Sequence, residues 1–271
     1  MFELESIDIN GLTKKFDTEL ALDNVNFSIP IGTACLIAGP NGSGKTTLLN
    51  ILVGLTRITA GTLTKPKGLS IGCAFQDPRV YENLTVYQNL KLFSGLKKVK
   101  DKLWVDYLVD FFKLTRWKDF YASDLSTGNA KKLDICLSVL DKPDILILDE
   151  PLSTLDMESR KSVLTLLKDL KQGGTTTNIA SHHIDDFSSL IDNFVILSKG
   201  KIVYNNALPE IDNNKLVIEL KYDNDTQNQK IIIEDKSYLL NELQKIDIEK
   251  CSEIVIKKYG YDQLYLNIIQ N

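Results

Sequence analysis

The sequence predicts a mixed α/β fold built on a sheet with parallel strands covered on both faces, and three observations carry that prediction. An apolar strand at 34–38 runs into a glycine-rich loop and then into a helix. A second apolar strand, within ILILDE, follows a helix and a Pro-marked turn. Strands then keep alternating with helices to about residue 205, as they do where crossover helices flank a parallel sheet.

Taken in order, Ile7 to Ile29 alternates apolar and polar residues around turn signals and predicts short antiparallel strands joined by hairpins. Ala34 to Ala38 is the compact apolar strand, and TTLLNILVGL after the loop has apolar residues at helical spacing. From about Thr85 to Tyr121 the spacing is mostly helical, which predicts a helical subdomain over about 85–130. The stretch KKLDICLSVLDKPDILILDEP reads as an amphipathic helix, a turn and a buried strand ending in two acids. A helix over roughly Glu158 to Lys171, the strand TTTNIAS and one further strand, FVILSKGKIVY, complete a domain spanning 1–205. The polar hinge NNALPEIDNNK then leads into 206–271, read as strand LVIELKY, strand KIIIED, helix SYLLNELQKI, strand EIVIKKY and a short tail. This is a small α+β appendage.

The 271 residues carry 32 basic and 36 acidic side chains, a net charge of −4. That balance gives no electrostatic footprint for DNA or RNA, so no nucleic-acid partner is expected. The four cysteines, Cys35, Cys73, Cys136 and Cys251, form no CxxC pair and read as ordinary thiols. The opening stretch MFELESIDINGLTKKF has early acids and no long apolar run, so it is read as neither secretory signal nor span. No apolar stretch approaches the ~18–20 residues that cross a bilayer. Any membrane work is therefore expected from another chain.

The segment Gly39, Pro40, Asn41, Gly42, Ser43, Gly44, Lys45, Thr46 fits GxxxxGK[ST], lies between a strand and a helix, and is followed by Thr47. Glycines let backbone N–H groups turn toward phosphate oxygens, and the helix adds the positive end of its dipole. Lys45 would reach the β and γ phosphates of ATP, and the Thr46 hydroxyl would hold Mg²⁺. The strand Ile145 to Asp149 delivers Asp149 and Glu150 at its carboxyl end, where open α/β sheets bind ligands. Asp149 is the expected Mg²⁺ ligand, and Glu150 the expected general base for an attacking water.

With these motifs in place, the chain from about 5 to 205 resembles the ABC ATPases, a P-loop NTPase family with a mixed sheet core, an antiparallel β subdomain and a helical subdomain. Gln76 in CAFQDP looks like the Q-loop glutamine, which the resemblance assigns to Mg²⁺ or the attacking water and to sensing a membrane partner. LSTGN, Leu125 to Asn129, looks like the signature usually written LSGGQ, with Thr127 and Asn129 departing from it. STLD, ending at Asp156, looks like the D-loop; His182 looks like the switch histidine; and Phe16 is placed like the aromatic ring that stacks on adenine. The resemblance implies two ATP molecules sandwiched in a dimer, with Ser126 and Gly128 of one copy clamping nucleotide on the Lys45 loop of the other. The implied dimer is formed with a second copy or with a paralogous ATPase subunit.

The resemblance further implies an ATP-hydrolysing transporter subunit on the cytoplasmic face of a membrane, docked on a polytopic permease. ENLTVYQNL, the closing YDQLYLNI and the short span between Gly61 and Gln76 resemble exporter-type ATPases, so export is expected before import. The competing readings are an ABC ATPase without a membrane partner and a regulatory subunit that binds ATP without turnover, the latter supported by the altered signature.

Overall fold

The computed structural model describes residues 5–212, 214–222, 229–247 and 251–270; the first four residues of the opening stretch lie outside them. The chain divides into two compact units that meet in sequence between Leu208 and Pro209.

In the first unit, β1 (Ser6–Phe16) and β2 (Glu19–Pro30) pair antiparallel, and β4 (Ala60–Thr64) joins the other side of β1. Several short strands were expected, and two long ones are found. The β1–β2 register shifts between Ile9 and Lys15, and such bulges break the two-residue alternation that marks one continuous strand. Leu22, Val25, Phe27 and Ile29 still point from β2 into the core.

The central sheet contains β3 (Ala34–Ala38), β5 (Ile71–Ala74), β6 (Ile145–Asp149), β7 (Thr176–Ala180), β8 (Asn193–Ser198) and β9 (Lys201–Asn206), in the order β5-β6-β7-β3-β8-β9. All neighbours run parallel except β8 and β9. Every residue of β3, β6 and β7 is buried, as coverage on both faces requires. FVILSKGKIVY is not one strand but the β8–β9 hairpin, reversed at Lys199 and Gly200, whose φ values are 47° and 77°. Two successive positive φ angles make the turn that suits a tight hairpin; the lysine in the first position hid it.

Helix α1 (Lys45–Val53) follows the glycine-rich loop. The helical region holds α2 (Val86–Leu96), α3 (Lys102–Phe111) and α4 (Thr127–Ser138), and α5 (Met157–Gln172) follows β6. Thr85 and Gln88 cap α2 reciprocally: the Gln88 N–H donates to Thr85 Oγ1 (3.2 Å) and the Thr85 N–H to Gln88 Oε1 (2.9 Å). Fully buried Asn89 pins the preceding loop, accepting from the Tyr81 N–H (2.9 Å) and donating to the carbonyls of Tyr81, Leu84 and Thr85. The phrase ENLTVYQNL is thus a helix cap followed by a loop anchor. Helix α4 departs from the expected amphipathic pattern, because every residue from Lys131 to Ser138 is buried. Its charged residues Lys131, Lys132 and Asp134 lie inside the molecule instead of marking a solvent face.

In the second unit β10 (Leu216–Tyr222) lies between β11 (Gln229–Ile233) and β12 (Cys251–Lys258), antiparallel to both. Ile218, Leu220 and Ile233 form its small core, with Leu239 and Leu243 of α6 (Leu239–Gln244) packed on it. The expected short tail is α7 (Tyr261–Gln270), a helix that buries Tyr265. Glu219 on β10 accepts ion pairs from Lys230 (2.9 Å) and Lys257 (2.8 Å) on its two neighbours.

Replacing Asn89 with Ala should cost about 1–3 kcal/mol, since it removes a buried anchor of the Tyr81–Thr85 loop and the acceptor of the Tyr81 N–H. Urea unfolding of the two proteins measures it; a difference within error would show that the loop finds other partners.

Candidate active site

The glycine-rich loop is pressed against two strands, and that contact dictates its glycines. A Cβ on Gly39 would lie 2.2 Å from the Leu197 carbonyl oxygen and 2.5 Å from Ser43 Oγ. Gly44 has φ +106°, and a Cβ there would lie 2.6 Å from the Ala21 carbonyl oxygen. Only glycine meets both demands. Pro40, Asn41 and Gly42 are exposed, and Ser43 is buried with its carbonyl accepting from the Gly200 N–H (3.0 Å). Gly44 gives α1 no side-chain cap. The first N–H groups of the helix, those of Lys45, Thr46 and Thr47, therefore face the loop as donors for an anion.

Lys45 folds back over its own loop. Its Nζ donates to the carbonyls of Gly39 (2.7 Å) and Pro40 (3.2 Å). Burial pulls this ammonium below the ordinary lysine range, while Glu150 and Asp149 oppose the effect. The Thr46 hydroxyl donates to Asp149 Oδ2 at 2.7 Å, joining the start of α1 to the end of β6. Burial raises Asp149 above the usual carboxylate range, and the Thr46 bond offsets part of that rise. A hydroxyl and a carboxylate oxygen side by side at a phosphate loop are the hard oxygen donors that Mg²⁺ selects, with phosphate supplying further ligands. Among the described residues no group of three or more His, Cys, Asp or Glu is placed to hold a metal.

Glu150 sits one residue beyond β6 with φ +45°, a left-handed conformation rare for a side chain of its size. Its N–H donates to the Ala180 carbonyl at 2.9 Å, which holds the turn. Oε1 accepts from the His182 N–H (3.1 Å) and lies 2.8 Å from His182 Nδ1, while Oε2 accepts from the Ser181 hydroxyl (3.2 Å). The carboxylate is 8% exposed and the imidazole open to solvent. Ser181 was not anticipated from the sequence; its only signal was its place between a buried strand and His182.

Hydrogen bonds thus join the loop, Thr46, Asp149, Glu150 and His182 at one edge of the sheet. No described hydrogen bond ties Phe16, Ser126, Gly128 or Asp156 into that cluster. Phe16 ends β1 with 46% of its surface exposed and Lys14 Nζ 4.4 Å from its ring centroid. Ser126 caps α4, its exposed Oγ accepting from the Asn129 N–H (3.3 Å), and Asp156 caps α5 by accepting from the Ser159 N–H (2.8 Å). Gly128 lies where a Cβ would come 3.0 Å from the Thr154 carbonyl oxygen. The Gln76 side chain is exposed just past β5.

Two residues of α4 beside this segment were also missed. Lys131, with no exposed surface, donates from Nζ to the carbonyls of Phe75, Gln76 (3.2 Å) and Asp149 (3.2 Å). Asp134 accepts from the Arg79 N–H (3.1 Å), and burial pushes its carboxyl up to about 6, against the opposing pull of the Arg79 and Phe75 N–H groups and Lys131.

A phosphate loop at a helix N-terminus, facing a buried Asp-Glu pair at a strand end, defines a P-loop nucleoside triphosphatase. The profile of the family described as ABC transporter matches residues 22–153. An uncharacterized ABC transporter ATP-binding protein of Methanocaldococcus jannaschii is 30% identical over 273 residues, covering 96% of this chain and 98% of the relative. A probable sulfate/thiosulfate import ATP-binding protein of Chlorella vulgaris is 30% identical over 222 residues, 77% of this chain and 94% of the relative. Among solved structures, the dimeric post-hydrolysis state of an ATP-binding cassette bound to ADP and Pi aligns with TM-score 0.69 at 25% identity, covering 75% of this chain and 99% of that one. The chain belongs to the ABC transporter ATP-binding family and is an ATPase of that type.

Asp134 gives the site a pH signature. Its folded pKa lies above the unfolded value, so between about 4 and 6 the folded state holds the extra proton, and this group's contribution to stability grows as pH falls through about 6. Relative to Asp134→Asn, the native protein should therefore gain about 1 kcal/mol between pH 7 and pH 5. Urea unfolding of both proteins at the two pH values reads the difference directly, and an unchanged gap would place the titration of Asp134 elsewhere.

Proposed function

We propose that this chain is the hydrolytic subunit of an exporter-type ABC transporter, working as a dimer on the cytoplasmic face of a membrane against a separate polytopic permease. The observation that carries the hydrolytic part is the bonded set Thr46–Asp149 and Glu150–His182 beside the Lys45 loop. On ATP binding, Lys45 exchanges its loop carbonyls for the β and γ phosphates, and the N–H groups at the start of α1 cradle them. Thr46 and Asp149 would hold Mg²⁺, which would supply positive charge against the phosphate oxygens. Glu150 orients a water and takes its proton as the water oxygen bonds to the γ phosphorus and the bond to ADP breaks. His182 holds Glu150 in place and lies on the solvent side, where the terminal phosphate would sit. Phe16 would stack on adenine, and Gln76 would read the metal or the water.

The dimer reading is supported by Ser126, exposed at the start of α4 and not hydrogen-bonded to its own phosphate loop; Ser126 and Gly128 are assigned to the nucleotide of the partner copy, with Asp156 coupling the two sites. A permease is proposed because the relatives are named as ATP-binding proteins of transporters. A groove of about 450 Å³ just downstream of Gln76, lined by Ile71, Val80, Tyr81, Phe93 and Leu137 with Arg79 and Asp134 beside them, offers that partner a mainly apolar seat. Export is supported by the short span between Gly61 and Gln76 and by the closing phrase YDQLYLNI. ENLTVYQNL counts for less, since its residues cap and anchor α2. Import is named for relatives that align with about three quarters of this chain, such as that of Chlorella vulgaris. The unit from Pro209 is assigned to dimerisation or regulation, or to capping the cassette.

Glu150→Gln should lower turnover by about 100-fold or more, because it removes the base and keeps the shape. ATP affinity should persist, and ATP should trap a dimer visible by light scattering. Undiminished turnover would remove Glu150 from this role. Co-purification of the trapped protein with a polytopic membrane protein separates a transporter subunit from an ABC ATPase that works alone.

A further inference from the structure

We infer that Lys131 and Asp134 form a buried grip by which the signature helix α4 sets the positions of the Gln76 segment and of Asp149–Glu150, making Lys131 a positioning residue for hydrolysis. The parallel register of β5 with β6 ends at Ala74 opposite Leu148. One residue further along each strand, Lys131 Nζ bonds the Phe75 and Asp149 carbonyls together, and it takes the Gln76 carbonyl as well. A side chain from α4 thus extends the join between the two strands past the point where their own ladder stops. One helical turn later, Asp134 accepts from the Arg79 N–H. The two charges hold the main chain on both sides of Gln76, the cation through carbonyls and the anion through an N–H.

Burying a lysine with no exposed surface is costly, and a Met or Leu would fill the same space without desolvating a charge. All three donors of this ammonium end on main-chain carbonyls, and two of those belong to Gln76 and Asp149. Burial pulls this ammonium below the ordinary lysine range, and Asp134, Asp149, Glu150 and Asp77 oppose that pull. A core lysine whose only role was packing would not need all its donors at the carboxyl edge of the sheet.

The consequence rests on the dimer reading above. Lys131 lies five residues after Ser126 on one rigid helix. If Ser126 clamps nucleotide on the partner copy, movement of α4 on that contact reaches the Gln76 and Glu150 of its own copy through Lys131. The grip therefore links the two ATP sites, and a displacement on the order of 1 Å at the catalytic carboxylate is worth about 100-fold in rate.

The test uses the full chain, with steady-state ATP hydrolysis and direct binding of a fluorescent ATP analogue. Lys131→Met, of similar length and without donors, should lower kcat by about 10–100-fold with nucleotide Kd within about threefold, and should bring the Hill coefficient for ATP toward 1. Lys131→Gln, which keeps two donors, should recover part of the lost kcat. A folded Lys131→Met with kcat within twofold of the native value, or with Kd weakened as much as kcat, overturns the inference. If Lys131→Met does not fold, Lys131→Gln decides alone: kcat lowered at least about threefold at unchanged Kd supports the grip, and a native kcat overturns it. Failure of Glu150→Gln to dimerise with ATP would defeat the dimer reading and the coupling of sites, while the split between kcat and Kd would still judge the grip within one copy.

Discussion

The rest of the site depends on β7 lying between β3 and β6, with all three strands buried along their whole length. Because β3 and β6 are separated by one strand, the helix that starts after β3 can send Thr46 to Asp149 at the end of β6, a bond of 2.7 Å between residues 103 apart in sequence. The intervening strand ends in the small residues Ala180 and Ser181, so nothing blocks that reach, and Ser181 becomes a partner for Glu150. Parallel pairing puts all three carboxyl ends on one edge. The site is a consequence of strand order before it is a consequence of any side chain.

Much of this was legible because the signals were local. Ala34–Ala38 is a strand between the same limits the apolar run gave, since a strand covered on both faces has no alternation to obscure it. The loop from Gly39 to Thr46 and the acids at 149 and 150 were readable for the same reason: each lies at a junction between an apolar run and a change of period. What the sequence could not give was pairing. Lys199–Gly200 looked like the interior of one strand because a lysine seldom announces a positive φ, and β1 looked like several strands because its bulges interrupt a two-residue period. Tyr261–Gln270 looked like a tail because a ten-residue amphipathic helix carries fewer than three turns of period to read.

Lys131 and Asp134 were invisible for a deeper reason. In a one-dimensional pattern a charged pair three residues apart on a helix marks a solvent face, and only the placement of α4 beside the ends of β5 and β6 turns that face inward. The same pair shows why α4 is buried all round while its mean composition looks ordinary. Lys131 spends its donors on main-chain carbonyls of Phe75, Gln76 and Asp149, and one Asp134 oxygen accepts from the Arg79 N–H.

The altered signature can be weighed on the same physical terms. In LSTGN the third position is Thr127, exposed at the first turn of α4, and the fourth is Gly128, whose missing Cβ leaves room for the Thr154 carbonyl oxygen. Within one copy, then, a side chain at 128 would press on the Thr154 carbonyl oxygen, while Thr127 is exposed, and the chain keeps glycine at the tighter of the two positions. Ser126 still caps the helix and leaves its N-terminal N–H groups pointing outward. Thr127 adds a methyl and a hydroxyl to an exposed helix start that already donates hydrogen bonds, so its effect falls on fit to a facing phosphate and not on the fold of α4. Glu150 and His182 lie just past the ends of two different strands, joined to each other by a contact in which neither Thr127 nor Asn129 takes part. Thr127 and Asn129 thus leave the Thr46–Asp149 and Glu150–His182 bonds of their own copy intact, and on the dimer reading proposed above any effect on rate would fall on closure of the two copies.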